Sequence, residues 1–279
     1  MSEKIHLTAA LPTWENRNII WLQLESLCRQ KTDLNWELIV CEEQTPARRV
    51  FDMEEGTVVM KPTMLGEKDL MDWEPRLREA GCKRIKYIPL GKREPLSKKW
   101  WIIGQEAKGD TYALCAADDY SSPDRFELSH SKIDEGYDWF NVKKGIFLNI
   151  QTWDSATFIA ENEKRGLTMA CNTKKIKNII GNYWPTYSVD GWLQQKMSRF
   201  YSHPEPVLGL DTDGANKICG NRAGMYAHGF YQLTQSNGML ISNFVSPQQK
   251  VEDILPEPVL KRLKDERDEI CSLVTNYIN

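Results

Sequence analysis

Residues 106–127 read EAKGDTYALCAADDYSSPDRFE. The run divides into the end of a helix, a Gly turn at Gly109, an apolar strand over Thr111 to Ala117, and the adjacent carboxylates Asp118 and Asp119. Ser121-Ser122-Pro123 then opens a further helix. A strand that ends in paired acids puts them at its C-terminal edge, and in an open α/β sheet ligands bind at that edge. The remaining chain reads as a scaffold for it.

Upstream, Ile5 to Leu11 (IHLTAAL) is a short apolar run closed by Pro12, which suits a buried parallel strand. Apolar positions Ile19, Ile20, Leu22, Leu24, Leu27 and Cys28 mark a helix facing the sheet, and Trp36 to Cys41 is a second strand that runs into Glu42-Glu43. This is a βαβ unit with acids at its strand ends. From 44 to 81, Pro46, Gly56, Pro62, Gly66 and Pro75 break any period, so loops and short helices are expected, including one at Trp73 to Ala80. A third strand at Arg84 to Pro89 and a helix from Ser97, its expected cap, to Ala107 lead into the opening strand.

Downstream, Ile146 to Thr152 and Ala156 to Ile159 are expected as an antiparallel pair, and Cys171 to Ile180 as a short basic segment. Tyr187-Ser188-Val189-Asp190 caps a helix from Gly191 to about Phe200. Pro206 to Leu210 reads as a strand, and Asp211 to Gly229 as a polar, Gly-rich loop of lid type. After Pro256 and Pro258 an amphipathic helix runs from Val259 to Val274.

With 279 residues, 41% of them hydrophobic, the chain can bury a large core. A net charge of -3 gives no global pull toward nucleic acid, so a polyanion would need a local patch. Arg76, Arg78, Lys83, Arg84, Lys86, Lys92, Arg93, Lys98 and Lys99 are the candidate for one, against the alternative of a solvated charged face. The 7 cysteines form no CxxC pair, which indicates neither a zinc ribbon nor a disulfide framework. No long apolar run is present, so no membrane span is expected, and the expected location is cytoplasmic.

The order and spacing of LPTWENRNIIWLQLESLCRQ, ELIVCEEQ, AKGDTYALCAADDYSSPDRF and YSVDGWL resemble the GT-A glycosyltransferases, specifically the family 2-like branch, over roughly residues 5 to 195. The resemblance implies an α/β fold: a GT-A-type nucleotide-binding mixed sheet flanked by helices. The domain would cover 1–245, with a nucleotide-sugar half (1–125) and an acceptor half (126–245), followed by a C-terminal helical tail (246–279). It implies a DxD-type motif whose carboxylates hold Mn2+ or Mg2+ against the donor diphosphate, a role for hard oxygen ligands. Here Ala116 stands at the motif's first acid. Asp118 falls on the second, with Asp119 beside it; the alternative for this pair is a helix-capping turn.

By the same resemblance Glu42 contacts the nucleotide base, with Glu43 beside it, and Pro12 and Thr13 lie along the nucleoside. One of Arg93, Lys98 and Lys99 sits near the diphosphate, where a cation offsets leaving-group charge. Asp190 is similar to the family's catalytic base, which takes the acceptor's proton; the alternative is a plain N-cap. Asp211 or Asp213, more than His203 or His228, would complete the metal set. Trp139, Trp153, Trp184 and Trp192 fall in the acceptor half, with Trp100 and Trp101 grouped with them from before it, and one or two of the six are expected to line the acceptor groove.

The activity so implied is metal-assisted transfer of a sugar, with inversion, from a nucleotide-sugar donor, a UDP-sugar foremost, to a hydroxyl acceptor. That acceptor is either a glycan or modified DNA. A catalytically inactive nucleotide-binding scaffold is the competing expectation, favoured by Ala116. A nucleotidyltransferase would need a Gly-rich loop after the first strand, and Pro12-Thr13-Trp14-Glu15 has no Gly.

Overall fold

The computed structural model describes residues 3–14, 16–44, 48–52, 57–61, 64–149, 153–159, 169–179, 184–185, 189–203, 210–211, 244–245, 250–268 and 270. The first half comprises β1 (Leu7–Thr13), α1 (Ile20–Leu27), β2 (Trp36–Glu43), β3 (Arg48–Asp52), β4 (Thr57–Lys61), α2 (Gly66–Met71), α3 (Glu74–Glu79), β5 (Cys82–Leu90), α4 (Leu96–Glu106), β6 (Thr111–Leu114) and β7 (Asp119–Tyr120). There follow α5 (Arg125–Asp134), β8 (Trp139–Val142), β9 (Lys144–Asn149), β10 (Asp154–Ile159), β11 (Ala170–Asn172), α6 (Thr173–Lys177) and α7 (Val189–Gln194). The last elements are β12 (Phe200–His203), β13 (Leu210–Asp211), β14 (Phe244–Val245), α8 (Val251–Ile254) and α9 (Glu257–Asp265).

A seven-stranded mixed sheet runs in the order β12-β8-β11-β6-β1-β2-β5. Its β6-β1-β2-β5 half is parallel, while β11 is antiparallel to both β6 and β8. The parallel half buries β1 and β2 along their whole length, as their continuous apolar runs require when helices cover both faces. Side chains alternate across that sheet. Leu7, Ala9, Leu11, Leu38 and Val40 pack into one cluster with α1 and α5, and Ala10, Ile39 and Cys41 into another with α4 and α7.

Every residue of α1 is buried. Ile20, Leu24 and Leu27 face the sheet, whereas Ile19, Trp21 and Leu22 face Val251, Leu255, Val259 and Leu263 of the C-terminal segment. The tail helix therefore covers the outer face of α1, and burying Val259 and Leu263 stabilises that docking by about 1.5–3 kcal/mol each. A second sheet, β14-β10-β9-β13-β7, abuts the same cluster through Ile146, Leu148 and Tyr120.

Several expectations shift. Pro12 does not end the first strand, which continues to Thr13 in register with Glu42. Within 44–81 the loops give way to a β3-β4 hairpin and to α2 and α3. Ser97 does not cap α4, because its hydroxyl donates to Pro185 O at 2.8 Å; the helix starts behind Pro95 with no side-chain cap. The strand before the acids stops at Leu114, and 116–119 is a turn closed by Asp119 N–H to Ala116 O at 3.3 Å. The basic segment after Cys171 is strand β11 and helix α6. The helix at Asp190 ends at Gln194, and Phe200 opens β12. Of the expected strand at 206–210 and the lid at 211–229, only 210–211 lie among the described residues, as do 259–268 and 270 of the expected 259–274 helix.

Candidate active site

β1, β2, β5 and β6 run parallel, so Thr13, Glu42-Glu43, Leu90 and the Leu114-to-Asp119 turn emerge at one edge. Alternation sends the two glutamates to opposite faces. Glu42 is fully buried, and its carboxylate accepts from the N–H groups of Leu65 and Gly66 at 2.8 and 2.9 Å and from the Tyr87 hydroxyl at 2.7 Å. Burial and then the bond to Glu42 push the Tyr87 phenol far up. In this arrangement the expected base-contacting acid holds residues 65–66 in place.

Glu43, on the other face, is 2% exposed. Its Oε1 meets Lys99 Nζ at 2.8 Å and the Glu94 N–H at 2.8 Å, while Oε2 has no partner among the described residues. Lys99 also donates to Thr13 O at 3.3 Å and so bolts the first turn of α4 to the ends of β1 and β2. Thr13 Oγ1 is likewise buried without a partner among the described residues. Buried polar atoms left unpaired on adjacent strand ends are costly, by about 1–3 kcal/mol each, unless water or a ligand satisfies them.

The three candidate cations separate clearly. Lys99 is buried against Glu43, Lys98 pairs with Glu94 at 2.7 Å, and the Arg93 guanidinium lies 4.3 Å from the centre of the Trp14 ring. The rest of the basic patch is neutralised in the same way. Arg76 pairs with Glu25, Arg78 with Glu74, Lys83 with Glu3, Arg84 with Glu37, Lys86 with Glu106 and Lys92 with Glu94. Glu94 serves both Lys92 and Lys98, so among the described residues Arg93 and one charge of that lysine pair are left without a carboxylate of their own.

The acid turn is held from below. Gln23 of α1 is fully buried, and with its amide oriented to match its neighbours, the nitrogen donates to Ala116 O at 3.2 Å and Asp119 O at 2.8 Å. Arg125, 1% exposed, donates to the Ser121 hydroxyl at 2.7 Å, to Met169 O at 3.3 Å and to Leu114 O. Burial raises the neighbouring Cys115 thiol despite Arg125, and burial pushes Cys41 up to about 12. Both thiols are therefore protonated at neutral pH and unsuited to nucleophilic work.

Asp118 is 7% exposed, at the turn, and Asp119 opens β7. The antiparallel pairing of β7 with β13 sets residue 211 directly opposite Asp119. Among the described residues no three His, Cys, Asp or Glu side chains gather into a metal group. Asp213 and His228 lie outside the described residues, and His203 stacks with Phe140 on β12 and β8. Asp190 lies in the first turn of α7, which packs against α4 through Val189 and Leu193. No described contact joins Asp190 to Asp118.

Of the tryptophans, Trp100 and Trp139 are core. Trp101, Trp184 and Trp192 are half-buried and pack ring to ring, at 5.3 and 6.0 Å between centroids. Lys99, Glu43 and Gln23 are the site residues that reading the sequence under-weighted. The one signal available was period-2 alternation, which puts Glu43, not Glu42, on the α4 face.

No helix among the described residues is long and apolar enough to cross a membrane. No family model matches the chain, and no curated protein matches it. Solved structures do. The chain is similar to the crystal structure of S. aureus TarS 1-349, at 13% identity and a TM-score of 0.53 over 98% of this chain and 71% of that one. The same protein in complex with UDP-GlcNAc gives 13% identity and a TM-score of 0.55 over 98% and 72%. The mannosyltransferase PcManGT from Pyrobaculum calidifontis, in complex with GDP-Man and Mn2+, gives 13% identity and a TM-score of 0.51 over 99% and 74%. At this identity the likeness is one of architecture: the chain has the GT-A fold of glycosyltransferases, an α/β mixed sheet flanked by helices.

Proposed function

We propose that the protein is a glycosyltransferase that moves a sugar from a nucleotide-sugar to a hydroxyl acceptor with inversion, assisted by Mn2+ or Mg2+. The observation that carries this reading is the shared strand edge. There, unsatisfied Thr13 Oγ1 and Glu43 Oε2 flank an acid turn braced by Gln23 and Arg125. The solved structures of the same fold with UDP-GlcNAc and GDP-Man support a nucleotide-sugar donor, with a UDP-sugar as the first candidate.

In this reading Pro12 and Thr13 line the nucleoside, and Glu43 Oε2 accepts from an N–H of the base. Glu42 shapes the pocket by holding residues 65–66. Arg93, whose charge faces Trp14 and not a carboxylate, meets the diphosphate, with Lys98 on the first turn of α4. Asp118 and Asp119 supply carboxylate oxygens, and residue 211 stands opposite Asp119, an all-oxygen set of the kind hard divalent ions take. When bound, such an ion offsets charge on the departing diphosphate. Asp190 accepts the proton of the acceptor hydroxyl as that oxygen bonds to the anomeric carbon. The nucleoside diphosphate leaves on the opposite face with the electron pair of the broken C–O bond.

The acceptor is a glycan or modified DNA, and the ion-paired basic residues leave both open. The test is mass-spectrometric detection of sugar transfer or donor hydrolysis across a panel of nucleotide-sugars with Mn2+ or Mg2+. Turnover of one donor, abolished in Asp190→Asn for transfer, is the expected result. Nucleotide binding without turnover of any donor would favour the scaffold reading that Ala116 suggests.

A further inference from the structure

The acid turn has little of its own to fix it. β7 is 2 residues long, and the bond that closes the turn, Asp119 N–H to Ala116 O, is a long 3.3 Å. Asp118 and Asp119 are adjacent carboxylates, which repel one another when both are charged. Arg125 grips the two flanks, at Leu114 O and the Ser121 hydroxyl, whereas Gln23 of α1 grips the turn itself, through Ala116 O at 3.2 Å and Asp119 O at 2.8 Å. A shift of α1 by about 0.7 Å would stretch the shorter of these bonds to about 3.5 Å, where it fails.

The tail holds α1 from the outside. Leu22, next to Gln23 in the chain, shares one core cluster with Trp21, Tyr120, Val259 and Leu263. Tyr120 is 1% exposed and follows Asp119 directly, so the tail closes the packing of the turn's own strand as well as that of the helix bracing it. Polar contacts fix the tail's position along α1. The Arg262 guanidinium lies 4.1 Å from the centre of the Trp21 ring, and Asn18 Nδ2 donates to Ile270 O at 3.3 Å.

We propose that the tail helix α9 is a positioning element of the donor site. Val259 and Leu263, through Leu22 and Tyr120, hold Gln23 and the acid turn in the geometry that takes a divalent ion with the nucleoside diphosphate. This rests on the donor-site reading above. A coupling free energy between two sites is reciprocal, so the bound ion tightens the docking of the tail as much as the docked tail tightens the ion. A tail that only added stability would show no such link.

The test is calorimetric titration of UDP, with Mn2+ present or chelated, on the full chain and its variants. Leu263→Ala should weaken Mn2+-dependent binding about fivefold or more and leave any binding in chelator unchanged. Leu263→Met, which refills the cluster, should restore it. Leu77→Ala removes an equally buried leucine on α3 outside this cluster, and should lower the unfolding midpoint without weakening Mn2+-dependent binding. Hydrogen exchange on the wild type needs no substitution and so guards against an alanine variant that unfolds. UDP with Mn2+ should slow amide exchange in α9, and UDP with chelator should not. Unchanged Mn2+-dependent binding in folded Leu263→Ala, an equal loss in Leu77→Ala, or α9 exchange indifferent to UDP with Mn2+ overturns the proposal. A wild type that binds UDP alike with and without the metal, or not at all, removes the donor-site reading itself and the proposal with it.

Discussion

The two ends of the same parallel strands use the same residue types and finish them in opposite ways. At the N-terminal end, Glu37 is fully buried, and its carboxylate accepts from Thr8 Oγ1 at 2.7 Å, from the Gly109 N–H at 3.3 Å, and from Arg84 and the Lys108 N–H. Gly109 packs so closely on β1 that a Cβ would lie 2.5 Å from the Leu7 carbonyl carbon. At the C-terminal end, on the same two strands, Thr13 Oγ1 and Glu43 Oε2 have no described partner. A closed network holds a fold together, whereas an open one of equal burial is held ready for something else. Within this strand pair the Glu37 network is complete and the Thr13 and Glu43 end is not, although His6 Nδ1, just ahead of β1, is also without a described partner.

The comparison breaks most visibly through Asp190. Asp190→Asn should lower transfer by about 10²–10⁴-fold, the usual share of a general base, with the melting temperature held near that of the wild type; steady-state kinetics and thermal melting read the two effects. Next in size is Glu37→Ala, which opens the closed end and leaves the Arg84 guanidinium with Glu106 alone. It should cost about 3 kcal/mol, seen in denaturant unfolding, and leave donor affinity intact. A matched pair sharpens the contrast further. Thr8→Val should destabilise by about 1–2 kcal/mol, since Glu37 loses a donor, whereas Thr13→Val should leave stability unchanged or slightly raised and weaken UDP binding several-fold. Equal stability losses for the two threonines would mean that the ends do not differ.

The smallest effect concerns pH at the closed end. His130 Nδ1 lies 2.8 Å from Thr111 Oγ1, and burial holds its pKa below the usual histidine value. The neutral ring is therefore favoured on folding, and its contribution is present above the ordinary histidine range and fades as pH falls through it. His130→Gln should flatten the stability profile on that acidic side, measured as unfolding midpoint against pH.

What could be read from sequence follows the physics of each segment. Long apolar runs such as IHLTAAL and WELIVC announce buried parallel strands, and the Gly109-to-Asp119 stretch announces its edge, because both signals are local. β8 and β11 are four and three residues long, and β11 sits antiparallel between β8 and β6 from far along the chain. Nothing local encodes that placement. The hairpin β3-β4 was hidden by Pro46, Gly56 and Pro62, which bound its strands but do not interrupt them. In the site, acid positions were legible and their partners were not. The choice of Lys99 over Lys98 depends on which face of α4 meets β2, and the commitment of Glu42 depends on Leu65 and Gly66 folding over it.

The central claim is that this strand edge and its acid turn bind a nucleoside diphosphate with a divalent ion. Calorimetric titration of UDP, and then GDP, with Mn2+ present or chelated, on the wild type and on Asp118→Asn, tests it most directly. The account predicts binding of one nucleotide that weakens at least about tenfold on chelation and equally in Asp118→Asn. Binding indifferent to both the metal and the substitution, or no binding of either nucleotide, would contradict it.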